Sequence, residues 1–279
     1  MTIAFVLSGG ASLGAAQVGM LQALDDAGIR PDLVVGTSAG AINGSWVAAG
    51  GDLRDLGGLW RGLRRADVFP FGPLTGFLGA IGVRNHLVSQ SPLRALLAEH
   101  LLLDRIEEAA IPFHVITTDV LKGVDVRISH GPALDAVLAS TAIPAVFPPV
   151  VIDGTPLMDG GVVDNTPISH AVELGAETIW VLTTGYACDL RRPPRSALAM
   201  ALHAVGLTIH QRLAFDVERY TEHADLRVVP PLCPLRVSPT DFSQAEQLIS
   251  RAREHTARWL GEGEPGRRHL EHPIGHDRH

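Results

Sequence analysis

Five residues, Gly36-Thr37-Ser38-Ala39-Gly40, constrain this chain more than any others. The apolar run Leu33-Val34-Val35 leads into them, and a stretch of small residues over 39–49 leaves them. Strand, sharp turn and helix in that order lift a serine hydroxyl out of a sheet as a candidate nucleophile. Gly36 and Gly40 suit such an elbow, since the helix must cross its own strand at close range. Two glycines also flank a serine by chance in a chain with 29 of them, so the surrounding pattern has to carry the reading.

That pattern alternates. Ile3 to Leu7 reads as a buried strand, a glycine-rich loop follows, and Gly14 to Ala27 reads as a helix with Gly28 at its C-cap. Further strands are expected at 112–118, 124–128, 146–152 and 178–183, with a weaker one at 226–229. Helices are expected over 39–49 and 132–140. Strands and helices in this order predict a three-layer α/β/α domain around a mostly parallel sheet. After the linker Arg191-Arg192-Pro193-Pro194-Arg195 comes a helix near 196–222. A last helix opens on the capping box Ser243-x-x-Glu246 and stops at Gly261. No repeat and no second domain are evident. The expectation is one domain over 1–260 and a polar, histidine-rich tail over 261–279 that is solvated and disordered.

Apolar residues make up 46% and charged ones 19%, which suits a globular chain with a sizeable core. A net charge of −7 and the lack of a basic stripe argue against a nucleic-acid partner. Met1 to Leu24 carries no charge, yet its centre, Ser8-Gly9-Gly10-Ala11-Ser12, is turn chemistry and no basic segment precedes it. Neither a signal peptide nor a membrane span is expected there. The uncharged runs 33–51 and 136–152 fail as spans through their Gly, Ser, Asn and Pro content. The expected location is the cytoplasm or a membrane periphery. Cys188 and Cys233 are too few for a disulfide framework and fit a reducing compartment. Residues 57–100 differ in texture: Trp60, Phe69, Phe71, Phe77, Leu78 and Ile81 are scattered among Gly and Pro. The stretch reads either as a lid or surface that meets lipid, or as an insertion packed on the main domain.

A serine hydroxyl attacks only when a base takes its proton and donors hold the resulting oxyanion. The loop Ser8 to Gly14 joins a strand end to a helix start, so its backbone N–H groups converge where the helix dipole adds to them. A Walker loop would need Lys after Gly14, where Ala15-Ala16 stand, and Ala11 occupies the second glycine of a G-x-G-x-x-G fingerprint. An oxyanion loop or a plain tight turn remain. For the base, Asp159 lies in Leu157-Met158-Asp159-Gly160-Gly161, past an apolar strand, and reaches Ser38 if the strands are neighbours. Asp-Gly is also a common turn pair. None of the 13 histidines sits in a motif that marks a base. His114, His130 and His170 read as surface or capping residues.

The order of glycine loop, G-x-S-x-G and Asp-Gly-Gly, at 9–14, 36–40 and 159–161, resembles the patatin-like phospholipases. Ala15 to Leu21, Thr117-Thr118-Asp119-Val120 and Ser140 to Pro149 are also similar to that family. The resemblance runs over about 3–185, with an echo in Thr240 to Ser243. It implies a Ser–Asp dyad in place of a triad, with Ser38 as nucleophile and Asp159 as base. It further implies an acyl-enzyme hydrolysed by water, and an oxyanion hole from the N–H groups of Gly9, Gly10 and Ala11. Gly14, Gly160 and Gly161 would support these turns. The substrate it implies is a phospholipid, a lysophospholipid or a simpler acyl ester, with no metal and no cofactor. Two positions depart from the family: Ala11 replaces a third glycine, and Leu13 replaces a common Arg or Lys. The same residues would serve acyl transfer to a lipid hydroxyl, and the same fold would serve non-catalytic lipid binding. The oligomeric state is not legible.

Overall fold

Apolar runs that alternate along the chain pair side by side in the computed structural model, which describes residues 1–70, 85–185, 192–193 and 197–263. Phe71, Phe77, Leu78, Ile81, Cys188 and the tail histidines lie outside the described residues. Eight strands form one sheet among the described residues: β1 (Ile3–Leu7), β2 (Leu33–Thr37), β3 (Phe113–Asp119), β4 (Asp125–Ile128), β5 (Val150–Ile152), β6 (Thr155–Asp159), β7 (Thr178–Leu182) and β8 (Asp225–Val229). The central ladder β3-β2-β1-β7-β8 is parallel throughout. Antiparallel to it, β4 and the β5–β6 hairpin both join β3.

The helices are α1 (Gly14–Asp26), α2 (Ala39–Ala48), α3 (Leu53–Gly62), α4 (Arg65–Val68), α5 (Ser91–His100), α6 (Ala133–Ser140), α7 (Ile168–Glu173), α8 (Ala197–Tyr220) and α9 (Ala245–Gly261). Alternate side chains of a strand face opposite ways, and both faces of this ladder are covered, which is why its strands are apolar nearly throughout. Phe5, Leu7, Val34 and Trp180 face a core with α1, α2, α3, α5, α6 and α9. Ala4, Val6, Val35 and Val181 face a smaller core completed by Ile168 and Ala171 of α7 and Leu213 and Val217 of α8. The architecture is therefore the three-layer α/β/α expected from the alternation. Across the first core, α1 and α9 pack tightly: a Cβ on Gly19 would lie 2.1 Å from the Ile249 carbonyl oxygen. Arg253 pairs with Asp26 at 2.7 Å on the rim of that contact.

Register along β3 decides where the chemistry meets. Thr37, the last residue of β2, pairs with Ile116, and the next residue of β3, Thr117, pairs with Asp159 of β6. The ends of β2 and β6 thus converge on one edge of β3 although neither strand pairs with the other.

Three expectations change. The strand expected at 146–152 begins only at Val150, because Pro148 and Pro149 have no N–H for a ladder. The capping box at Ser243 is not formed: α9 starts at Ala245, Ser243 bonds Asp241, and Glu246 pairs with Arg61 and Ser250. Cys233 is disulfide-bonded, which removes the argument from cysteine usage for a reducing compartment. The described parts of 57–100 pack inward, with Trp60 4%, Phe69 6% and Leu97 4% exposed. No helix among the described residues is long and apolar enough to cross a membrane.

Candidate active site

At the C-terminal end of β2 the chain turns through Ser38 at φ 54°, ψ −121° and enters α2 directly. Non-glycine residues rarely adopt such a backbone, which costs about 1–3 kcal/mol and persists only where neighbours hold it. The neighbour is Ser140, the last residue of α6. Its hydroxyl accepts from the Ser38 N–H at 2.8 Å and donates to the Ile116 carbonyl at 2.6 Å. The glycines of the elbow allow the crossing: a Cβ on Gly40 would lie 2.1 Å from the Leu7 carbonyl oxygen, and one on Gly36 2.4 Å from that of Gly40.

The Ser38 hydroxyl donates to Asp159 Oδ2 at 2.7 Å, and the Gly161 N–H donates to Oδ1 at 2.8 Å. Burial pushes the Asp159 carboxyl up from 3.8 to about 6, against the opposing pull of the bonds from Ser38 and Gly161. A carboxylate of that basicity, in line with a hydroxyl, can take its proton near neutral pH. Gly160 begins the turn after Asp159 and lies against the Ile116 carbonyl, where a Cβ would come within 2.3 Å.

The glycine loop crosses over Ser38: a Cβ on Gly9 would lie 3.0 Å from the Ser38 Cβ and 2.5 Å from Asn165 Oδ1. One expected donor is already in use, because the Gly9 N–H donates to the Asn165 carbonyl at 3.1 Å. That removes Gly9 from the expected oxyanion set. The Gly9 carbonyl is held in turn by the Thr184 hydroxyl at 2.7 Å, and Thr184 N–H donates to Ser8 Oγ at 3.0 Å. Gly10 admits no side chain, since a Cβ would lie 2.1 Å from Thr184 Oγ1. Ala11 sits at φ 49°, in the left-handed region a glycine would occupy without strain. Gly14 opens α1, and its carbonyl accepts from Asn43 Nδ2 at 3.0 Å. Asn43, wholly buried, also donates to Gln17 Oε1 at 2.9 Å and accepts from Trp60 Nε1 at 2.8 Å.

Trp60 belongs to the wall of a cleft of about 830 Å³ that opens at Ser38 and Ala11. Leu56, Phe69, Leu97 and Phe147 complete an almost wholly apolar lining drawn largely from the segment 57–100. His100 also lines this cleft, while the three histidines weighed from the sequence lie elsewhere. His114 and His170, expected as surface or capping residues, belong to the α7 side of the sheet, with His114 half-buried and His170 buried. His170 is 6% exposed and reaches Asp125 at 2.7 Å. Desolvation, with Arg127 and His170 nearby, holds His114 down to about 4, so it is neutral. His130 is exposed, as expected. Asp125, Asp164 and His170 bring ligand-type atoms within 4.8 Å. Arg127, which can only donate, lies 3.3 Å from His170 Nδ1. With Glu173 paired to Arg127 at 3.1 Å, the group is a charge network on that side of the sheet.

Ser140, Asn165 and Thr184 were not singled out from the sequence as site residues. Ser140 opens the block Ser140 to Pro149 that resembles the family, and this was the one available signal for it.

A serine bonded to a buried carboxylate thus lies at the C-terminal edge of a parallel sheet, under a glycine loop and beside an apolar cleft. The family follows from comparison. The model described as patatin-like phospholipase matches residues 5–172, and the chain belongs to that family. Lysophospholipase nte1 of Aspergillus terreus is 32% identical over 200 residues, which is 67% of this chain and 12% of that protein. Lysophospholipase NTE1 of Pyricularia oryzae is 28% identical over 190 residues, with the same shares. The chain thus spans only 12% of the length of these curated relatives. The structure of VipD from Legionella pneumophila superposes with a TM-score of 0.52 at 16% identity, covering 94% of this chain and 67% of that one. At that identity it speaks for the fold alone.

Proposed function

We propose that this chain is a lipid acyl hydrolase in which Ser38 and Asp159 act as a dyad. The 2.7 Å bond between Ser38 Oγ and Asp159 Oδ2, at the mouth of an apolar cleft, is the observation that carries the reading. Asp159 takes the hydroxyl proton as Ser38 Oγ bonds to the ester carbonyl carbon. The oxyanion meets the N–H groups of Gly10 and Ala11. It also meets that of Ala39, the residue after the nucleophile, whose place in the first turn of α2 leaves it without an intrahelical acceptor. Collapse breaks the ester C–O bond, the departing alcohol takes the proton back from Asp159, and an acyl-Ser38 remains. Water, deprotonated by the same carboxylate, then releases the fatty acid and restores the hydroxyl. The acyl chain lies in the cleft, where each buried methylene is worth about 0.8 kcal/mol. The relatives' names support a lysophospholipid as substrate, and the apolar cleft suits an acyl chain.

Ser38→Ala and Asp159→Asn are each expected to lower kcat on a single-chain acyl ester by roughly a thousandfold or more. A serine-directed fluorophosphonate should label the native chain and spare Ser38→Ala. Near-native turnover by a folded Asp159→Asn protein would move the base to another residue and overturn the dyad.

A further inference from the structure

Beside the turn that follows Asp159 lies a second cavity, of about 320 Å³, with a lining that is half polar and half apolar. Gly161 and Asn165 bound it on the loop side, and Thr208, Arg212 and Asp216 bound it on α8. It shares a wall with the reaction centre. Gly161 is the residue whose N–H holds Asp159, and a Cβ on Gly161 would lie 2.7 Å from Asn165 Oδ1. Asn165, as described above, also abuts Gly9 directly over Ser38. Within the cavity Arg212 Nε donates to Asp216 Oδ2 at 3.2 Å, with the guanidinium half exposed. A guanidinium has five N–H donors, and this contact uses one edge of the fork. The buried Asp164 is the other acid whose charge Arg212 feels.

An ester whose acyl chain fills the apolar cleft must direct its alcohol portion away from that cleft, past Asp159 and Gly161. The second cavity offers it one cation, one partly buried anion, two hydroxyls and an amide. A bare phosphate is a poor match, since Asp216 would repel it, and an uncharged glycerol leaves both charges unused. A phosphodiester joined to a short cationic amine matches both: the planar fork of Arg212 suits phosphate oxygens, and Asp216 suits the ammonium end. We propose that the Arg212–Asp216 cavity is the headgroup subsite, taking the zwitterionic phosphodiester headgroup of a single-chain lipid. This rests on the acyl-hydrolase reading and adds to it the place of the leaving group.

The test compares kcat/KM for three lipids with one acyl chain in neutral detergent micelles: a lysophosphatidylcholine, a lysophosphatidic acid and a monoacylglycerol. Arg212→Gln is expected to lower the ratio of lysophosphatidylcholine to monoacylglycerol at least tenfold, chiefly through KM, and Arg212→Lys to recover part of it. Asp216→Asn should lower the ratio of lysophosphatidylcholine to lysophosphatidic acid. Arg219→Gln removes an equal charge from α8 outside the cavity and should leave both ratios unchanged. An Arg212→Gln ratio within twofold of native, or an equal fall in Arg219→Gln, overturns the subsite. A binding arm is independent of turnover: glycerophosphocholine should broaden in ³¹P NMR with Ser38→Ala, and not with Ser38→Ala/Arg212→Gln. Inorganic phosphate binding as tightly as glycerophosphocholine would mean a bare-anion site and also overturns it. Should no lipid be turned over, the hydrolase reading fails, while the binding arm still decides whether the headgroup is held.

Discussion

Burial keeps the Asp159 carboxyl near 6, and both activity and stability inherit that value. A general base works ionised, so kcat/KM on an uncharged ester should fall about tenfold per unit below pH 6 and level off above it. The stability sign is opposite. A carboxyl whose folded value is raised favours the protonated fold, so that contribution is present below pH 3.8 and lost as pH rises through about 6. Asp159→Asn should therefore raise the Tm at pH 8, by the equivalent of about 1–3 kcal/mol, and show no gain at pH 3.5 in thermal melts. Ser140 offers a second test at this scale. Ser140→Ala leaves the buried Ser38 N–H without its acceptor, at about 1–3 kcal/mol, in a turn already strained. The expected result is a kcat roughly 10- to 100-fold lower with KM little changed, read by steady-state kinetics, and partial recovery in Ser140→Thr. Ser38 and Asp159 were legible because each is marked by adjacent glycines. Ser140, Asn165 and Thr184 were not, because the Ser38 and Gly9 groups they hold are over a hundred residues away.

Among the elements, the segment 57–100 shows where a pattern runs out. Apolar residues four apart, Leu56 with Trp60 on α3 and Leu93 with Leu97 on α5, make a stripe that suits lipid or a protein core equally. What decides is the partner. Trp60 stacks on Phe242 at 6.5 Å and Phe69 on Phe147 at 5.6 Å, rings brought from remote parts of the chain. The apolar residues of the described stretch wall the cleft. Its consequence is chain-length dependence: kcat/KM should rise about fourfold per added methylene until the cleft is full, then flatten. Leu97→Trp should move that plateau to shorter chains in an acyl-ester series. The final helix gives a similar lesson, for Ser243 and Glu246 had the spacing of a cap and found better partners in Asp241 and Arg61.

Across the whole molecule, the first core is closed only by the end of the chain. Trp259 of α9 meets Trp180 of β7 edge-on at 6.1 Å, and α9 lies along α1 where Gly19 lets the backbones approach. A chain ending at Gln244 should therefore lose its cooperative thermal transition and near-UV circular dichroism, although it retains all of 5–172 that matches the family. Two separate transitions in the native chain would instead break the single domain proposed over 1–260. Local chemistry marked most of the sheet strands, the elbow and Ser38, because glycine spacing and apolar periodicity act over a few residues, while Asp159 stood out as a base only through the family resemblance. Tertiary structure decided that the two meet, by setting Thr37 and Asp159 against consecutive residues of β3. It also took Gly9 out of the oxyanion set and turned 57–100 into a cleft wall. Hydrogen bonds and packing between distant segments depend on which surfaces the fold brings within contact, and no local pattern encodes that.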